Sequence, residues 1–308
     1  MTVSGRTRRG WKQAIEALIH ARPEALAEQD RRVSVELARE DPGEFGAYVA
    51  GYELPEFHRL WMKLLLATGL GGVKSTLIRP RPGPDGRQDL LTRGYRESAL
   101  RDPTPRQDPK PIDRLLFVAP PGHAKTTWMA ILWPVWLLGR DPNLNILMAS
   151  SMSDLAALSS AQVRALIRDN PRVRDVFPHL RIDMRRADRE MEWFVRRSDP
   201  LNKDPSYAAV GFDGSVTGRR TDVLIIDDPV KDHNQVATTE ARDRTWRTYQ
   251  TVLLTRLNPG AKQVVIATRW HEDDFAGRLI KQGGWVVCST PAIDEDPGGG
   301  CCAQMTWA

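Results

Sequence analysis

Residues 115–127 read LLFVAPPGHAKTT. An apolar run passes directly into a Pro-Gly turn, a lysine and two threonines, and a helical stretch begins at Thr126. Strand, loop and helix in this order are the context that a phosphate-binding loop needs. Backbone N–H groups at a helix start point at an anion, and the helix dipole favours its charge. In this reading Pro121, Gly122, His123, Ala124, Lys125, Thr126 and Thr127 surround a nucleotide. Lys125 reaches the β- and γ-phosphates, and the Thr126 hydroxyl ligates Mg²⁺. The usual pattern, G-x-x-x-x-G-K-[ST], places glycine where this chain has Ala119 and Ala124. Alanine resists positive φ. The loop is therefore expected to use angles that alanine accepts, with Gly122 taking any strained position. On the loop alone, a Pro-Gly turn before a helix with a solvated lysine stays open as an alternative.

Outward from this stretch, short apolar runs recur at 115–119, 145–149, 223–226, 263–267 and 285–288. Bounded by turn residues, such runs are what strands buried on both faces of a parallel sheet require. Helical patterns at 126–138, 153–169 and 239–254 alternate with them. The expected fold is α/β, with a mostly parallel central sheet and helices on both faces. A hairpin is expected between 184 and 211, since 192–195 and 207–210 look extended. Upstream, residues 11–50 and 56–66 show helical spacing, with Trp11, Ile15, Leu18 and Ile19 on one face. The stretch 79–114 is rich in proline, arginine and aspartate and reads as a long exposed loop. This divides the chain into a helical N-terminal segment (1–53), a main domain (54–293) and a Pro/Gly-rich linker or tail (294–308).

Two further segments carry candidate chemistry. In TDVLIIDDPVKD, residues 221–232, an apolar strand ends in paired acids. In a nucleoside triphosphatase, Asp227 would orient Mg²⁺ and its waters, and Asp228 would polarise the attacking water as general base. Aspartate is short for that task, so it sits close to the γ-phosphate or works through an extra water. Two acids in a turn sealed by Pro229 are the plain alternative. Between loop and acids lies the strand NILMAS, 145–150, and an intervening strand is a mark of the additional-strand class of P-loop ATPases. In QVVIATRWHEDDFAGRLI, residues 263–280, a strand ends at Thr268, placed to sense the γ-phosphate and transmit hydrolysis. Arg269, Trp270 and His271 would otherwise cap and pack the next helix.

The 308 residues are 41% hydrophobic and 27% charged, and the net charge is +5. That is the composition of an ordinary globular protein, and its mild basicity fits a polyanion partner without requiring one. Cys288, Cys301 and Cys302 form no metal-ligand spacing, and a disulfide framework is not expected. The first residues are basic and lack the continuous apolar stretch expected of a secretory signal, and the apolar run 128–138 is too short to span a bilayer and contains Pro134. A cytoplasmic location without membrane contact is expected.

Taken in order, these segments resemble the ATPase domain of tailed-phage large terminase subunits. The resemblance runs over about 54–293 and rests on PEFHRLW, APPGHAKTT, SSMSDLAALSSAQVRALI, VFPHL, GSVTGRRTDVLIIDDPVKD and TRWHEDDFAGRL. TGRRTDVLIIDDP and TRWHEDD are its most specific parts. It implies a motor of the additional-strand P-loop class that uses ATP and Mg²⁺ to pump double-stranded DNA into a procapsid. Its implied partners are a portal protein, a small terminase subunit and further copies of itself in a ring. By this resemblance Lys125 and Thr126 bind triphosphate and magnesium, Asp227 binds magnesium, Asp228 is the catalytic carboxylate and Thr268 couples. The loop holds no arginine, so Arg219 and Arg220 are candidates to stabilise the γ-phosphoryl charge; a surface pair or a DNA-phosphate contact is their alternative. His58 matches an early family position near the base. Large terminases carry a nuclease domain after the motor. Here the residues after PAIDEDPGGG do not look like the opening of such a domain, and no nuclease activity is expected. A catalytically weak prophage remnant and another additional-strand ATPase, such as a helicase, are the competing readings.

Overall fold

A computed structural model describes residues 28–51, 54–72, 81–82, 88–89, 111–186, 189–214, 218–291 and 304–307. The described residues begin with a helix over 28–40 (α1), followed by α2 (Pro42–Ala50) and α3 (Glu56–Leu66). The helical reading of 11–50 holds for the described part as two helices that part at Asp41, and residues 11–27 lie outside the described residues. Proline at position 42 disfavours helical angles in the residue before it. Asp41 is extended (φ −127°, ψ 122°), and its carboxylate accepts from the Gly43 and Glu44 N–H groups as the cap of α2.

A two-residue pair, β1 (Arg81–Pro82) with β2 (Gln88–Asp89), falls within the expected loop 79–114, most of which lies outside the described residues. Among the described residues the main sheet has eight strands. They are β3 (Arg114–Val118), β4 (Ile146–Ser150), β5 (Glu192–Trp193), β6 (Tyr207–Gly211), β7 (Thr221–Asp227), β8 (Leu257–Ala267), β9 (Val286–Ser289) and β10 (Gln304–Trp307). Their order across the sheet is β10-β9-β3-β8-β7-β4-β6-β5. Every pairing from β9 to β6 is parallel; only β10 on β9 and β5 on β6 run antiparallel. The mixed α/β, mostly parallel architecture agrees with the sequence reading, and of the segments expected to form a hairpin, residues 192–193 pair antiparallel with 207–208.

The spatial order corrects one inference. NILMAS precedes the double aspartate in sequence, but as β4 it lies on the far side of β7. The strand standing between β3 and β7 is β8, which follows both in the chain. Sequence position alone cannot reveal this, because crossover helices let a later strand insert between earlier ones. A second correction concerns the tail. Residues 304–307, expected as part of a linker, form β10 on the exposed edge of β9, in register Met305 opposite Cys288. Met, Thr and Trp suit a strand, and an unpaired sheet edge offers them a template.

The alternation along each strand sorts the core into two layers. Leu115, Phe117, Ile146, Met148, Val223, Ile225, Val264 and Ile266 face one cluster, shared with α2, α3, α5 (Ser153–Asp169) and α6 (Pro171–Val176). Leu116, Leu147, Leu224, Ile226 and Val265 face the other, covered by α7 (Thr239–Thr248) with its following turn and by α8 (Phe275–Gln282). Each such side chain contributes about 1.5–3 kcal/mol by leaving water. After the phosphate loop the helix is π-helical over Thr126–Leu132 and continues as α4 (Trp133–Arg140). Trp133 donates to the Trp128 carbonyl five residues back. Pro134, which has no N–H to give to a carbonyl four back, follows at once, and the wider turns lie just before it. Among the described residues no helix is long and apolar enough to cross a membrane.

Candidate functional site

Ligands of open α/β sheets bind beyond the carboxyl ends of the strands, and one cleft of about 540 Å³ lies there. Four adjacent strands supply its walls. Pro121, Gly122, His123, Ala124, Lys125 and Thr126 follow β3; Ser151 and Leu155 follow β4; Asp228, Val230 and Lys231 follow β7; Thr268 and Trp270 follow β8. Thr127, expected with the loop residues, is half-buried and does not line the cleft.

The loop departs from the conformation expected of it. Gly122 is left-handed at φ 83°, but so is Ala124, at φ 51°. The second glycine position of the usual pattern therefore keeps its left-handed backbone after losing its glycine, at a cost of roughly 1–2 kcal/mol. Left-handed residues in such a loop let successive N–H groups converge on an anion. Asp228 shows the same strain, at φ 40°.

Lys125, only 5% exposed, is tied down by the loop itself. Its ammonium donates to the Ala119 carbonyl (3.0 Å), the Pro120 carbonyl (2.9 Å) and the Thr268 hydroxyl (3.0 Å). The Thr268 backbone N–H in turn donates to Asp228 Oδ1 at 3.0 Å. The lysine of the first motif, the threonine of the third and the second acid of the second thus form one hydrogen-bonded chain across β3, β8 and β7.

Asp227 lies beneath the cleft, 5% exposed. Burial pushes its carboxyl up to about 7; the Asp228 charge pushes the same way, while the Thr126 hydroxyl and Lys125 pull it down. Its Oδ1 is buried without a hydrogen-bond partner. An orphaned carboxylate oxygen beside the Thr126 hydroxyl fits a magnesium ion, which takes one or two protein oxygens and completes its shell with water and phosphate. A cation there would draw the carboxyl back to its charged form.

The loop is braced from the N-terminal helices. His58 Nε2 lies 2.8 Å from the His123 carbonyl, so that nitrogen carries the proton and donates. Burial lowers the His58 pKa, keeping the ring neutral. Phe57 packs edge-on against the His123 ring, and His58 against Trp61 and Trp128. Gly46 of α2 lets this layer close: a Cβ there would meet Trp128 at 2.2 Å.

On the β8 side, Asp274 is buried and organises the turn. Its carboxylate accepts from the N–H groups of Trp270, His271 and Gly277 and from the Arg269 guanidinium. Arg269 and His271 therefore shape the turn before α8, which Asp274 caps, while Trp270 reaches the cleft wall.

Arg219 and Arg220 are not brought to this cleft. They precede β7, and Asp227 ends it, so they sit at the amino end of that strand, on the order of 20 Å from the carboxyl end where the cleft lies. Arg219 pairs with Glu192 and Arg220 with the carbonyls of Thr255 and Leu257. Neither can serve the γ-phosphate of its own chain; such a role would need a neighbouring copy's site. Sequence reasoning also passed over Ser151, Lys231 and Trp270. Ser151 had a signal, since it directly follows the apolar run of β4, at the strand end where ligands bind.

The family described as terminase large subunit, T4likevirus-type, N-terminal, matches residues 116–291. Over 160 residues, 52% of the chain, the sequence is 29% identical to the large terminase subunit of Enterobacteria phage T3, and it spans about a quarter (26%) of that relative's length. Among solved structures, the large terminase of bacteriophage HK97 aligns with a TM-score of 0.32 at 12% identity, over 55% of this chain and 32% of that one.

Proposed function

The chain belongs to the large-subunit terminase family, and from that membership we propose that it acts as an ATP-hydrolysing motor domain for packaging double-stranded viral DNA. The observation that carries this reading is the convergence of four strand ends on one cleft holding Lys125, Thr126, Asp228 and Thr268, with Asp227 beneath. The position of β8 between β3 and β7 supports the additional-strand class of P-loop ATPases.

In this mechanism the loop N–H groups and Lys125 hold the β- and γ-phosphates. Lys125 must first release the Ala119 and Pro120 carbonyls and Thr268. Thr126 and Asp227 are the residues that would hold Mg²⁺, which when bound neutralises the phosphate oxygens. Asp228 takes the proton of the attacking water. Thr268 touches both the lysine and, through its N–H, the base, so a change at the γ-phosphate reaches β8 by two bonds. The portal protein, the small terminase subunit and further copies in a ring are the partners proposed from the family.

The test is DNA-stimulated ATP hydrolysis by the chain, by Lys125→Ala and by Asp228→Asn, across a protein concentration range that permits assembly. The parent should hydrolyse and both variants should lose at least 100-fold. Equal rates in all three, or none above background in the parent at any concentration, would reject the proposal. The hydrogen bonds that join Lys125 to the Thr268 hydroxyl and the Thr268 backbone N–H to Asp228 favour a working site over an inert remnant.

A further inference from the structure

Ser151 stands at the carboxyl end of β4 and lines the cleft, yet it is only 6% exposed, and its Oγ is buried without a hydrogen-bond partner among the described residues. A buried hydroxyl left unpaired costs about 1–3 kcal/mol, so its retention calls for a ligand-side explanation. The register supplies one. Ser150 and Asp227 form the last pair of the β4–β7 ladder, so Ser151 and Asp228 follow the ends of neighbouring strands about 5 Å apart, and both line the cleft. Asp228 Oδ1 is already occupied by the Thr268 N–H, and the aspartate is one methylene shorter than glutamate. A single carboxylate oxygen on a short arm positions a water poorly; a second group is needed to fix its direction.

We propose that Ser151 is a catalytic residue that holds the attacking water in line together with Asp228. The inference rests on the ATPase reading above. The hydroxyl is both donor and acceptor, so it can hold the water without consuming its proton. In the step, the water oxygen forms the new bond to the γ-phosphorus and the bridging bond to the β-phosphate oxygen breaks. The water proton passes to Asp228, and Ser151 keeps its own.

The experiment compares the parent, Ser151→Ala and Ser151→Thr in three readouts: steady-state hydrolysis, binding of a fluorescent non-hydrolysable ATP analogue with Mg²⁺, and thermal stability. Ser151→Ala should lower kcat roughly 10- to 100-fold while analogue binding and stability stay within twofold, and Ser151→Thr, which retains the hydroxyl, should recover most of the rate. An unchanged kcat in Ser151→Ala would overturn the proposal. So would a loss of rate matched by an equal loss of analogue binding, or a threonine variant that binds the analogue normally but stays as slow as alanine. A parent that binds the analogue but does not hydrolyse ATP would overturn both this inference and the ATPase reading; a parent that hydrolyses, with an alanine variant equally fast, would overturn this inference alone.

Discussion

Replacing Asp227 with asparagine tests the electrostatics beneath the cleft. Without a cation, the carboxyl titrates near 7 instead of the ordinary 3.8, because it is buried and faces Asp228. At about 1.4 kcal/mol for each tenfold change in proton affinity, that difference corresponds to ~4 kcal/mol. A carboxyl raised in the folded state contributes its full stability below its unfolded value and loses it as pH rises through the folded one. The affected window is therefore about pH 4 to 7. Linkage gives the parent a loss of roughly 3 kcal/mol between pH 5 and pH 8 from this one group. Asparagine has nearly the same shape and does not titrate. Its amide costs about 1–3 kcal/mol if unpaired, but by the same amount at every pH. The decisive measurement is thus the slope. Urea unfolding without nucleotide should show Asp227→Asn gaining ~3 kcal/mol on the parent from pH 5 to pH 8. Parallel curves would refute the reasoning, since the cost of burying the charge would then be absent. Saturating Mg²⁺ and nucleotide should oppose the trend, stabilising the parent more than the variant.

Other outcomes follow from particular contacts. Ala124→Gly should stabilise the unliganded chain by ~1 kcal/mol in chemical denaturation, because glycine accepts the left-handed angles that alanine holds at φ 51°. Thr268→Val removes one of three hydrogen bonds that restrain Lys125. A titration with a fluorescent nucleotide should show about fivefold tighter binding, whereas weaker binding would show that the hydroxyl grips the nucleotide more than it restrains the lysine. Gly277→Ala would place a Cβ 2.1 Å from the Glu272 carbonyl oxygen. Since backbone must yield, thermal unfolding should report a loss of ~2–3 kcal/mol.

What the sequence by itself determined was local. The apolar runs at 115–119, 145–149, 223–226, 263–267 and 285–288 were legible as buried strands because both faces of a parallel sheet demand continuous hydrophobicity. Lys125, Thr126, Asp227, Asp228 and Thr268 were legible because each sits at a strand end or helix start, where side-chain chemistry follows from the neighbouring residues. The structure alone decided what depends on distance across the sheet. Strand order is set by crossovers, and it placed β8, not β4, between the loop and the acids. Strand direction sent Arg219 and Arg220 to the wrong edge for their own cleft, although only seven residues separate Arg219 from Asp227. The left-handed angle at Ala124 came only with the fold, because alanine's own preference argues against it. Ser151 became a candidate only when the β4–β7 register put it and Asp228 at neighbouring strand ends and its hydroxyl proved unpaired. A motif specifies which groups are available; tertiary packing specifies which of them meet, because a parallel sheet joins residues far apart in the chain and separates residues that are near.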